Sequence, residues 1–207
     1  MNDFEKEIIS LEILETSENI IERIGKYPIL FTSVHSMKQI KEDGTIKYGE
    51  PFTKSLAKYI SNNLDLFYLI KTKDNGIDPN NSEDEEFKKR LLEMIDKYNI
   101  ELVFDIHGAS IDREFDVEFG TLNNLSADFS TINELKESFN ENGINNIVLN
   151  EPFKGGKITQ YLYLNSKVEV IQLEINKKYR DYKKLDEHKK VCDSLISFIK
   201  QYISKIK

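Results

Sequence analysis

The chain has a single cysteine, Cys192, so no intrachain disulfide can form and zinc sites built from several thiolates are excluded. Histidine is scarce as well: only His35, His107 and His188 are present, so a histidine-based metal site is expected to recruit a carboxylate. No apolar run is long enough to span a bilayer. The N-terminus, Met1-Asn2-Asp3-Phe4-Glu5-Lys6, lacks the basic and apolar regions of a secretory leader, and a cytoplasmic setting is expected. Excess positive charge is missing too. Lys and Arg total 29 against 36 Asp and Glu, and the formal net charge of −7 argues against nucleic acid as a partner. It does not argue against a small anionic ligand, because a few convergent cations reverse the potential inside a cleft. There is no GxSxG, no P-loop and no GxGxxG, so serine-hydrolase and nucleotide-binding readings lack support. Repeats and low-complexity linkers are also lacking, and residues 1–207 are expected to form one domain.

What is present is an alternation of apolar β-rich runs with helical periodicity. Residues 28–35, 66–70, 101–107, 147–149 and 168–175 read as strands. Helices are predicted from Pro51 to about Asn62, over 86–98, over 131–142 with Gly143 as the cap, and over 185–206. Residues 7–14 fit either an edge strand or a turn of helix, and 73–85 reads as a polar surface loop. The pattern predicts a three-layer α/β/α fold, phosphorylase- or hydrolase-like, with a mostly parallel central sheet covered on both faces.

Three of the apolar runs end in residues that can bind a metal or carry a proton: His35, His107 and Glu174. Ligands of open α/β sheets bind outside the carboxyl ends of the strands, so these residues can share one rim. His35 and His107 are candidate metal ligands, since neutral imidazole suits zinc. Asp105 precedes His107 by two residues on the same face, where it can fix the imidazole tautomer or bind metal itself. Glu50 is the candidate third ligand, with Glu42 and Asp43 as competitors. Glu174 is the candidate general base, moving the proton of an attacking water. Gln172 and Asn176 share its face and are candidate substrate contacts. Arg113 can bind a carboxylate or stabilise an oxyanion. Lys154-Gly155-Gly156-Lys157 suits an anion, through flanking lysines and close backbone approach, with Arg180 as a further cation. His188 lies in a charged stretch and reads as solvated surface.

Together these segments resemble the N-formylglutamate amidohydrolase family, within the zinc-carboxypeptidase-like hydrolases. The resemblance runs from about Tyr27 to Tyr182 on four motifs in order: Thr32-Ser33-Val34-His35-Ser36; Asp105-Ile106-His107-Gly108 with Phe119-Gly120-Thr121; Asn150-Glu151-Pro152-Phe153-Lys154-Gly155-Gly156; and Gln172-Leu173-Glu174-Ile175-Asn176 with Tyr179. It implies zinc bound by His35 and His107, Glu174 as base, Arg113 as substrate or oxyanion contact, and hydrolysis of an N-acyl amino acid such as N-formylglutamate by metal-activated water. A metallopeptidase acting on γ-glutamyl or cell-wall peptides, or a non-catalytic binding domain on the same fold, are the alternatives. The chain departs from the family at His35-Ser36-Met37-Lys38, where the wider superfamily often has a glutamate in the place of Lys38. The acidic ligand is therefore expected further on, at Glu50.

Overall fold

The computed structural model describes residues 1–40, 44–73, 78 and 85–206. The chain opens with helix α1 (Asp3–Ile13), which resolves the ambiguity over residues 7–14 in favour of helix. The reason lies at Asn2. Its side chain accepts the Glu5 N–H at 2.9 Å while the Glu5 carboxylate accepts the Asn2 N–H at 2.7 Å, a reciprocal capping box that nucleates the first turn.

Strand β1 (Ile20–Arg23) follows, then β2 (Ile29–Ser33), a two-residue pairing of β3 (Gln39–Ile40) with β4 (Ile46–Lys47), helix α2 (Thr53–Leu64) and β5 (Phe67–Lys71). Next come α3 (Glu85–Tyr98), β6 (Leu102–Ala109), β7 (Val117–Gly120), α4 (Phe129–Glu141), β8 (Ile147–Leu149), α5 (Lys157–Asn165), β9 (Glu169–Asn176) and the terminal α6 (Leu185–Ile206). The main sheet has the order β1-β5-β2-β6-β9-β7-β8. Its centre, β5-β2-β6-β9, is parallel, as expected for strands joined by helical crossovers. Two pairings are antiparallel: β1 on the edge against β5, and β7 inserted between β9 and β8. Strands β1 and β7 and helix α5 have no counterpart in the sequence reading.

Period-2 alternation divides the core into two layers. On one face, Ile29, Phe31, Phe104, Ile106, Ile171 and Leu173 pack under α1, α2, α4 and α6. On the other, Leu30, Val103 and Val170 pack under α3 and α5, through Phe87, Leu91, Ile158 and Leu162. The three-layer α/β/α arrangement is thus the one expected. No helix among the described residues is long and apolar enough to cross a membrane. Glu42, Asp43 and most of the expected 73–85 loop lie outside the described residues.

Candidate metal centre

At the carboxyl end of the central strands the second face changes from apolar to polar. After Val103 come Asp105 and His107 on β6; after Val170 come Gln172 and Glu174 on β9. The register sets His107 opposite Glu174, and Glu174 opposite Glu118 of β7. His107 does not end its strand, as the range 101–107 had it, and Glu174 lies one residue deeper than the range 168–175 had it; both sit two residues inside. His35 lies two residues beyond the end of β2. By strand parity it would face away from His107; leaving the strand after Ser33 frees it to turn back over the rim.

The turn that brings Glu50 to the same point is held from four sides. Its N–H bonds the His35 carbonyl at 2.7 Å, and its own carbonyl accepts the Thr53 hydroxyl at 2.8 Å. The next carbonyl, of Pro51, accepts from Arg180 at 2.9 Å. Helix α2 starts at Thr53 rather than at Pro51, because Phe52 takes a left-handed conformation (φ 65°) and offers no capping side chain. Glu12 of α1 supplies the cap instead, accepting the N–H groups of Phe52 at 3.0 Å and Ser55 at 3.3 Å.

Two imidazole nitrogens and both oxygens of one carboxylate converge as a result. His35 Nδ1 is 3.1 Å from Glu50 Oε1 and 3.1 Å from His107 Nδ1, and His107 Nδ1 is 3.6 Å from Glu50 Oε2. Nitrogen and oxygen ligands about 2.0–2.1 Å from a tetrahedral zinc lie about 3.3 Å apart; the two 3.1 Å separations at His35 Nδ1 are close to this, and one ligand atom from each of the three residues lies within 4.8 Å of the others. The outer nitrogen of each ring is oriented by a carboxylate. His107 Nε2 is 3.0 Å from Asp105 Oδ2, and His35 Nε2 is 2.7 Å from Asp78 Oδ1. Asp105 is fixed in turn by the Thr32 hydroxyl at 2.6 Å. Carboxylates on the outer nitrogens turn the inner lone pairs toward a cation and raise their basicity. Asp78 was missed by the sequence reading, which placed it among many polar residues of a surface loop.

The protonation balance follows from the same contacts. Burial alone would raise the Glu50 carboxyl, but its interactions with His107 and His35 outweigh that and hold it well below the usual range. Burial would lower His107, yet the charge and hydrogen bond of Asp105 hold it well above the ordinary imidazole value. Glu174 is raised, chiefly by burial, with His107 opposing. Gln172 donates to Glu174 Oε1 at 2.8 Å and so orients it.

Other expected contacts find different places. Asn176 donates to the carbonyls of Arg113 and Phe115 at 3.0 Å each and accepts the Lys178 N–H, so its amide braces the loop before β7 and is engaged away from a substrate. Arg113 itself is exposed, its guanidinium 4.9 Å from the centre of the Phe153 ring. Lys154 is exposed, and Gly155 has φ 110°, which only glycine adopts without strain. Arg180 is corrected from an anion contact to a buried brace. It donates to the carbonyls of Ile175, Pro51 and Ala109, and a side chain at Gly108 would collide with its guanidinium at 2.3 Å. His188 is not solvated surface. It is fully buried, bonded to the Tyr179 carbonyl and packed on Phe52, because the charges around it point outward while its own position faces the α1–α2 seam. Burial lowers its pKa to about 4.

Sheet and cluster together define a class: a three-layer α/β/α protein with a His–Glu–His pocket at the strand ends and a buried carboxylate beside it. Residues 84–179 match the family model described as N-formylglutamate amidohydrolase, a stretch that contains the Asp105, Phe119, Asn150 and Gln172 motifs. The expected resemblance is shown there. Among solved structures, the N-formylglutamate amidohydrolase from Ralstonia eutropha JMP134 is similar with a TM-score of 0.73, at 11% identity, covering 91% of this chain and 99% of that one. A bacteriophage poly-gamma-glutamate hydrolase is similar at TM-score 0.59 and 14% identity, covering 92% and 93%. A metallo-carboxypeptidase from Burkholderia cenocepacia follows at TM-score 0.53 and 12% identity, covering 91% and 61%. At these identities the likeness is one of fold. No curated protein matches by sequence. The matched family and these neighbours are hydrolases, named for amide, γ-glutamyl and carboxypeptidase substrates.

Proposed function

We propose that this chain is a zinc-dependent amidohydrolase that cleaves the amide of a small anionic N-acyl amino acid, of which N-formylglutamate is the type. The observation that carries the reading is the convergence of His35, Glu50 and His107 ligand atoms within 4.8 Å of one another, with Glu174 next to His107 in the sheet register. A bound zinc ion supplies Lewis acidity for the amide carbonyl and lowers the pKa of water at the site. The protein does the rest. Glu174, oriented by Gln172, takes a proton from the water that adds to the carbonyl carbon. It returns that proton to the nitrogen as the C–N bond breaks, leaving a carboxylate and a free amine. Burial raises Glu174, which suits a carboxylate that must hold a proton between the two steps. Arg113, exposed beside Phe153, is assigned to the substrate carboxylate, with Lys154 and the Gly155-Gly156 backbone as further anion contacts. Lys38 stands where the wider superfamily often has a glutamate, which favours a binding-only domain; Glu50, close to both imidazoles, supports the hydrolase reading instead as an acidic ligand from further along the chain. The same reading takes residues 1–207 as one domain, since α1 reaches with Glu12 to the turn after Glu50.

The test is elemental analysis of the purified protein, beside His107→Ala and Glu50→Ala, with hydrolysis of N-formylglutamate measured in parallel. Near-stoichiometric zinc lost in both variants is expected. In Glu174→Gln we expect zinc to be retained and kcat to fall about 10²–10⁴-fold. A protein that takes up no metal when zinc is offered, or a Glu174→Gln variant with full activity, sinks the reading.

A further inference from the structure

Beside Glu174 stands a second carboxyl group to which the proposed reaction gives no task. Glu118 lies opposite Glu174 in the antiparallel β7–β9 register, on the same face of the sheet, and is 0% exposed. Its Oε1 accepts the Phe153 N–H at 2.7 Å; its Oε2 is buried with no hydrogen-bond partner. No lysine or arginine among the described residues forms an ion pair with it. A buried carboxylate with one oxygen orphaned, no cation on it and a second carboxylate across the strand pair is costly in its charged form. Of the two, Glu174 is the better place for the negative charge. It accepts from Gln172 and faces His107, whereas Glu118 has one oxygen with no partner and the Phe153 amide on the other.

We propose that Glu118 is held as a neutral carboxylic acid with its proton on Oε2, and is a positioning residue: it grips the turn that carries Lys154–Gly156 and leaves Glu174 as the ionised member of the pair. The assignment of Glu174 as base rests on the proposed function; the neutral state of Glu118 does not. The groups that face it are Glu174 from β9, Arg113 from the loop before β7, and the backbone of Glu151 and Phe153. Burial is the largest influence and Glu174 adds to it, against the amides and Arg113, and together they push Glu118 up to about 8. Two carboxylates side by side cannot both ionise near neutrality without a cation between them, and the grip on Phe153 survives protonation because a carboxylic acid keeps its carbonyl acceptor.

Glutamine reproduces a neutral acid in shape and keeps an acceptor for Phe153, so Glu118→Gln separates this proposal from an ionised glutamate. Infrared difference spectra of the full chain at pH 7, wild type against Glu118→Gln, are expected to show the loss of a protonated-carboxyl C=O band. Loss of a carboxylate band instead overturns the proposal. The second readout is thermal stability against pH. A native carboxyl raised from 4.5 to about 8 contributes stability that is full below 4.5 and disappears as pH rises to about 8. The wild-type Tm is therefore expected to fall over that window more steeply than that of Glu118→Gln, with the variant at or above wild type at pH 8. Parallel Tm curves, or a Glu118→Gln protein that melts far below wild type at pH 7, overturn it. Neither readout needs metal or substrate, so a chain that hydrolyses no amide leaves this inference standing, and the zinc content and Glu174→Gln assay test the hydrolase reading separately.

Discussion

The smallest contacts of the pocket decide whether it can hold an ion. Two imidazoles with inner nitrogens 3.1 Å apart are of use to a cation only if both lone pairs point inward. That tautomer is enforced from outside, by Asp105 on His107 and Asp78 on His35. Changing Asp105 to Asn keeps the shape and removes the charge, and its amide can leave the ring rotated or in the other tautomer. We expect Asp105→Asn to weaken zinc affinity about 10–100-fold, read by competition with a chromophoric chelator. An unchanged affinity would show that Asp105 serves only Thr32. His35, His107 and Glu174 were legible in the sequence because each closes or follows an apolar run, and because histidine is scarce here. Glu118 was not. Phe115, Val117 and Phe119 alternate with Asp116 and Glu118 in a stretch that the sequence reading left without a strand, and acidic residues at every second position suggest a wet face. Only the turn at 151–153, folding over β7, makes that face dry.

At the scale of elements, the pocket depends on how helix α2 begins, because its first residue, Thr53, holds the Glu50 carbonyl. Helix α2 begins without a cap of its own, and Glu12 of α1 closes it from another part of the chain. Because Glu50 is two residues from the capped amide of Phe52, loosening this end loosens a ligand. Glu12→Ala is expected to cost about 1 kcal/mol of stability, the usual value of a lost N-cap, and to lower zinc affinity as well. Melting curves recorded with and without zinc separate the two effects: an equal loss in both conditions would confine Glu12 to stability. Elements with strong 3.6-residue periodicity, such as α3 and α6, were predictable within a residue or two. Helix α5 was hidden because Ile, Thr and Tyr favour strands, and only Ile158, Thr159 and Leu162 are buried. Strand β7 was hidden because four residues between loops give too short a pattern, and its antiparallel place beside β9 depends on pairing distant in sequence.

Across the whole molecule, the ligands come from segments that meet only when the sheet is complete: His35 after β2, Glu50 before α2 and His107 in β6, with Glu174 added from β9. The crossover architecture could be read from alternating periodicities, and it places the ends of β2, β6 and β9 side by side. The strand order itself could not, since it is set by which faces bury best against α1, α2 and α6. A site assembled this late has no counterpart in the unfolded chain, so an ion held there stabilises the native state by mass action. Zinc at about 1,000 times its Kd contributes about 4.1 kcal/mol, which for a chain of this size raises Tm by roughly 8–16 °C. Calorimetry of chelator-treated protein, titrated with zinc, should show that rise growing with the logarithm of zinc concentration. In His107→Ala it should be absent, because His35 and Glu50 alone leave the ion two ligands short of a tetrahedron. A rise of equal size in the variant would mean that zinc binds elsewhere on this acidic surface and that the pocket formed at the strand ends is not its site.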